Sequence, residues 1–144
     1  MRVSSCVAQG LIVFQLLLGA GCAHRRPAAK PVAARIIGTV TYLQRIALPP
    51  EATIEVTFAD VSIQDTAPIQ LGNQVIKAAG KQVPIPFAIG YDSRQIVSSH
   101  TYGVEAKIKV GERLMFASDS PNLVLTQGRP TNVEIIVKAV PAPK

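Results

Sequence analysis

The chain has 144 residues, with 15 Lys or Arg against 9 Asp or Glu and a formal net charge of +6. That length suits one domain of ordinary size, while the charge raises nucleic acid as a partner. The placement of the charges excludes it: Arg25, Arg26, Lys30 and Arg35 lie in one short segment, and residues 36–144 hold 10 Lys or Arg against 9 Asp or Glu, with no basic stripe interleaved with aromatics.

Residues 1–21 come first. Met1-Arg2 is followed by an uncharged run to Gly21 with apolar centres at Leu11–Phe14 and Leu16–Leu18. A basic start, an apolar middle and small residues before a processing point make a secretory signal peptide. A membrane span needs about 20 consecutive apolar residues, and Gln9 and Gln15 interrupt this one. Gly19-Ala20-Gly21-Cys22 then resembles a bacterial lipobox, with Gly19 where that pattern prefers Leu. The resemblance implies cleavage between Gly21 and Cys22, with diacylglycerol and an N-acyl chain such as palmitate on Cys22 and no other cofactor. An ordinary cleaved signal and an uncleaved anchor are the alternatives. Several acyl chains on one residue hold a protein to a membrane far more firmly than one chain does. Ala23, standing where Asp would retain a lipoprotein in the inner membrane, points by resemblance to the outer membrane and a domain facing the periplasm.

Residues 22–35 read as a basic, Pro/Ala-rich tether, in which Pro27 and Pro31 discourage helix and the cations favour anionic lipid headgroups. Cys6 falls in the signal and Cys22 at the lipid site, so the domain expected over residues 36–140 has no disulfide and relies on packing. Residues 141–144 form a tail. Within the domain the period is two. Tyr102, Val104, Ala106, Ile108 and Val110 alternate with Gly103, Glu105, Lys107 and Lys109, and Ile54, Val56 and Phe58 alternate with Thr53, Glu55 and Thr57. Such alternation makes strands with one wet face. Val133, Ile135 and Val137 repeat it, with Ile136 on the other parity implying partial cover on both faces. Further strands are predicted at Gly38–Arg45, Val75–Ala78, Val83–Ile89 and Arg113–Ala117, separated by turn residues, with a tight hairpin at Val110-Gly111-Glu112-Arg113. Seven short strands without an amphipathic helix predict a single all-β sandwich.

Two prolines mark one strand. In Val83-Pro84-Ile85-Pro86-Phe87, neither Pro84 nor Pro86 can donate to a ladder, which places this strand at a sheet edge. An edge can accept a partner's extended segment, and prolines there also protect against such pairing. These five residues are the candidate partner edge, with the protective role weighing more.

No catalytic residue stands out, and no enzyme is expected. His24 and His100 are the only histidines, too few to converge with cysteines or carboxylates on a metal. His100 reads as a solvent-facing turn residue. A hydrolytic triad from Ser98 or Ser99, His100 and Asp92 or Asp119 lacks a nucleophile elbow. The glycines form no phosphate-cradling loop, and Asp60 and Asp119 suit backbone hydrogen bonding at strand ends.

Taken together, "GTVTYLQRIALPPEATIEVTFADVS", "QVPIPFAIGYDSRQI", "YGVEAKIKVGERLMFASDS" and "VEIIVKAV" resemble the YbaY/YscW family of bacterial lipoproteins. The resemblance rests on Gly38, Tyr42, Leu48-Pro49-Pro50, Asp60-Val61-Ser62, Pro84–Phe87, Tyr91-Asp92, Tyr102 and the Gly111 turn. It implies an immunoglobulin-like or transthyretin-like sandwich tethered in the outer membrane. Some such proteins are pilotins, which bind a secretin subunit and help it assemble. The expected function is therefore a noncatalytic envelope binding or assembly module, with a secretin or other envelope protein as partner. The alternative is a carrier of a small or lipidic ligand inside the sandwich.

Overall fold

The structure is a computed structural model that describes residues 33–63 and 65–141. Among the described residues nine strands alternate with turns: β1 (Ala33–Thr41), β2 (Thr53–Asp60), β3 (Ile69–Lys77), β4 (Ile85–Asp92), β5 (Tyr102–Val110), β6 (Arg113–Ala117), β7 (Asn122–Val124), β8 (Asn132–Ile136) and β9 (Lys138–Ala139). A 3-10 turn covers Ser93–Gln95. One sheet has the order β4-β1-β8, and the other runs β3-β2-β5-β6-β9 with β7 also paired to β5. All pairings are antiparallel except β1 with β8.

The period-two patterns sort as expected. Ile36 and Val40 of β1, Ile54, Val56 and Phe58 of β2, and Tyr102, Val104, Ala106 and Ile108 of β5 all point inward and are buried. Complete burial of a side chain the size of Phe58 is worth about 2–3 kcal/mol. Phe58 also packs at tilted angles on Tyr91 and Tyr102, with ring centroids 5.2 and 5.8 Å apart, and such aromatic pairs add about 0.5–1.5 kcal/mol. The β5–β6 hairpin turns through Gly111 at φ +55°, a conformation that costs glycine little and other residues more.

Two strands beyond the seven predicted are present, and both are short. β7 and β9 have three and two residues, too few for alternation to register. β9 exists because the chain crosses between sheets at buried Val137, whose N–H donates to Thr41 O at 2.9 Å. Ile136, on the opposite parity, stays 48% exposed on the outer face. β1 starts at Ala33, where residues 33–35 pair with Asp92, Tyr91 and Gly90. β3 is longer than Val75–Ala78 because a bulge opposite Phe58 and Ala59 breaks its alternation.

Candidate interaction surfaces

Ile85–Phe87 lies where the prolines require, in β4 at the edge of the three-stranded sheet, whereas Val83 and Pro84, expected in that strand, precede it. Ile85 and Phe87 point inward and are buried, while Pro86 faces out opposite Thr39. The outward backbone donors on this edge belong to the even-numbered residues. Pro84 and Pro86 have none, and the Ala88 N–H is taken by Gln74 Oε1 of β3 at 2.7 Å. Just beyond, β3 crosses so closely that a Cβ on Gly72 would lie 2.8 Å from Gly90 O. Within β4, Pro86 and the Gln74 contact withdraw two outward donors from incoming strands, the protective role of proline extended by one glutamine.

His100 is not simply turned to solvent. Its Nδ1 is 2.6 Å from Asp60 Oδ2, with side chains 44% and 13% exposed respectively. Asp60 Oδ1 also accepts from Ser62 N–H at 2.9 Å and from Ser62 Oγ at 2.5 Å, as its place at the end of β2 leads one to expect. Burial by itself would raise the Asp60 pKa, but hydrogen bonds from Ser62 and His100 outweigh it and hold the carboxyl below its ordinary range. Thr126 Oγ1 donates to His100 O at 2.7 Å, and Thr101 N–H donates to Ser62 Oγ at 2.8 Å. This network ties the ends of β2 and β5 to the loop after β7. The acid partner of His100 is thus Asp60 and neither member of the paper triad: Asp92 is engaged by Arg94 and Asp119 by Lys138, and the Ser62 hydroxyl donates to the Asp60 carboxylate. Among the described residues no three His, Cys, Asp or Glu side chains gather as metal ligands.

A groove of about 240 Å³ crosses the outer face of the larger sheet. Thr57, Gly103 and Glu105 are among its lining residues, with Glu55, Lys107 and Gln70. Glu55 is held by Lys109 at 2.9 Å, and that hydrogen bond keeps its pKa below the usual value. Between the sheets, side chains including Phe58, Tyr102, Phe116 and Ile36 fill the interior as one contiguous cluster.

The segment between β1 and β2 is a surface that sequence patterning did not single out. Tyr42 leaves the strand, buries its ring flat against Phe116 with centroids 4.5 Å apart and planes 9° apart, and donates its hydroxyl to Ile46 O at 2.9 Å. Two residues beyond Ile46, Gln82 grips Leu48 from both sides: Leu48 N–H donates to Gln82 Oε1 at 2.8 Å, and Gln82 Nε2 donates to Leu48 O at 3.2 Å. Leu43 and Ile46 are left 76% and 51% exposed between the two anchors. The tyrosine, through its ring and its hydroxyl, and a glutamine 34 residues from Leu48 fix this arrangement. The hint in the sequence is Leu43, apolar on the parity opposite to Ile36, Val40 and Tyr42.

Gly21 and Cys22 lie outside the described residues. The rest of the chain can be compared with known proteins. A family model described as "Type III secretion system lipoprotein chaperone (YscW)" matches residues 31–137. The chain belongs to the YscW family. A relative, the "Uncharacterized lipoprotein YbaY" of Escherichia coli K12, is 31% identical over 93 residues, which cover 65% of this chain and 49% of that protein. The chain thus spans about half the length of this curated relative. Among solved structures, the "alternative pilotin from the type II secretion system of Vibrio cholerae" superposes with a TM-score of 0.74 and 36% identity, covering 76% of this chain and 99% of that one. The pilotin-like membership expected from the quoted segments is shown by these matches, and the all-β sandwich expected of the YscW family is the fold found.

Proposed function

We propose that this YscW-family member is an outer-membrane lipoprotein, anchored through acyl chains on Cys22, whose periplasmic sandwich is a noncatalytic module that binds a secretin or another envelope protein during assembly. The observation that carries this reading is the likeness to the Vibrio cholerae pilotin, which extends over 99% of that chain at 36% identity. The filled interior favours a protein that works through its surface over a carrier of a ligand between its sheets. The basic segment before β1 suits contact with lipid headgroups next to the anchor.

The test is fractionation of cells expressing the full chain or Cys22→Ala. The native chain is expected in outer-membrane fractions with the mass of a lipidated product, and the variant in soluble fractions or as unprocessed precursor. Normal mature mass and membrane attachment in the variant would refute the lipid anchor. Crosslinking in intact cells and isolation of the native chain should recover a secretin or another envelope assembly protein. Recovery of a lipid or small molecule without a protein would favour the carrier.

A further inference from the structure

The end of the sandwich formed by the segments after β1, after β3 and between β5 and β6 differs in charge from the end where the chain enters the domain. Arg45, Lys77, Lys81 and Arg113 stand there against Glu51 and Glu112, and among the described residues none of the four cations is in an ion pair. At the entry end, Arg35, Arg94 and Arg129 are matched by Asp60, Asp65 and Asp92, with Arg94 bound to Asp92. Single exposed apolar side chains need no explanation. Leu43 and Ile46 differ because the loop that presents them is held at Tyr42, Ile46 and Leu48 by three side-chain hydrogen bonds and a ring stack.

We propose that the Tyr42–Leu48 loop is the docking surface for the partner, and that what docks is an acidic, amphipathic segment of a protein. This rests on the reading of the chain as an assembly module. A loop already fixed in shape loses little further freedom on binding, so its apolar contacts are retained as affinity. Leu43 and Ile46 receive the partner's apolar face, while Arg45 between them, with Lys81 next to the gripping Gln82, meets its carboxylates. A protein is favoured over a lipid surface by chain direction. β1 runs from Ala33 to Thr41, about 26 Å at roughly 3.3 Å per residue, so the loop stands a strand length from the point where the tether joins the domain.

The experiment places a photo-crosslinking amino acid, p-benzoylphenylalanine, at Leu43, at Ile63 on the entry end, or at Glu105 in the outer groove of the full chain in its own cells, and sequences the crosslinked peptides. The expected result is an envelope-protein adduct from Leu43 on a segment rich in Asp and Glu with apolar residues three or four apart, and about tenfold less adduct from the other two positions. Arg45→Glu should lower the Leu43 yield by about tenfold, the scale of one strong interface residue, without moving the melting temperature. Phospholipid adducts at Leu43, a basic target segment, or insensitivity to Arg45→Glu would overturn the proposal. Protein adducts from Ile63 or Glu105 but not from Leu43 would overturn the location and leave the assembly reading standing. Absence of protein adducts at all three positions would overturn both.

Discussion

Gly38 sits in the middle of β1 with β4 on one side and β8 on the other. A Cβ built there would lie 1.9 Å from Val133 O of β8 and 2.8 and 2.9 Å from Cζ and Cε1 of buried Phe87 on β4. The phenyl ring can rotate or shift by a few tenths of an ångström. The carbonyl can withdraw only with its strand, and β8 is tied to β1 along Ile37–Thr41 and to the larger sheet through the crossing at Val137. Gly38→Ala therefore costs overpacking, about 1–3 kcal/mol, together with one or two weakened ladder bonds at about 1 kcal/mol each. The smaller unfolded-state entropy of alanine returns about 0.4–1 kcal/mol. The net loss is about 1–5 kcal/mol, centred on about 3 kcal/mol, a large part of the roughly 5–15 kcal/mol that keeps a domain folded. Urea denaturation of residues 23–144 measures it. With a slope of about 1–3 kcal/mol per M, a loss of about 3 kcal/mol lowers the midpoint by about 1–3 M. Gly90→Ala is the control, since nothing lies within 4 Å of its added Cβ, and it should stay within about 0.5 kcal/mol of the parent or gain slightly. Equal midpoints for Gly38→Ala and the parent would refute the claim that this pinch is rigid.

Other outcomes follow from the same contacts. Tyr42→Phe keeps the stack on Phe116 but removes the donor to Ile46 O, and should lower stability by about 1 kcal/mol in urea denaturation; a neutral result would mean that water replaces the hydroxyl without loss. The lowered pKa of Asp60 gives its carboxylate a stabilising contribution that is fully present above its ordinary value of about 4 and is lost as pH falls through the folded-state value. Asp60→Asn should accordingly flatten the acid limb of a stability–pH curve, and an unchanged limb would assign the acid sensitivity elsewhere. Pro86→Thr combined with Gln74→Ala restores one outward donor on β4 and frees another, so concentration-dependent self-association should appear in sedimentation velocity. A strictly monomeric double variant would show that the crossing of β3 already covers this edge.

Alternation in the 53–58, 101–110 and 133–137 segments was enough to predict strands and a buried face, because burial on one side of a pleated strand imposes a period of two whatever its neighbours are. Proline chemistry likewise placed Val83–Phe87 at an edge, since a missing N–H is a property of the residue itself. What patterning could not supply were the short pairings and the ties between distant segments. Nothing local in "NLV" or "KA" marks a strand; β7 and β9 exist because β5 and β6 offer open backbone groups beside them.

The same division holds for the surfaces. The all-β sandwich was legible in residues 36–140 taken alone, because it depends on turn positions and apolar spacing repeated along the chain, while the family was legible only as a resemblance carried by particular residues such as Gly38, Tyr42 and Pro84–Phe87. Only the tertiary structure decided that His100 meets Asp60 across 40 positions, that Gln74 rather than a partner takes the Ala88 N–H, and that Tyr42 and Gln82 hold Leu43 and Ile46 toward solvent. The reason is physical: side-chain hydrogen bonds form between whichever donors and acceptors the fold brings within about 3 Å, and that proximity is set by how two sheets close over one core.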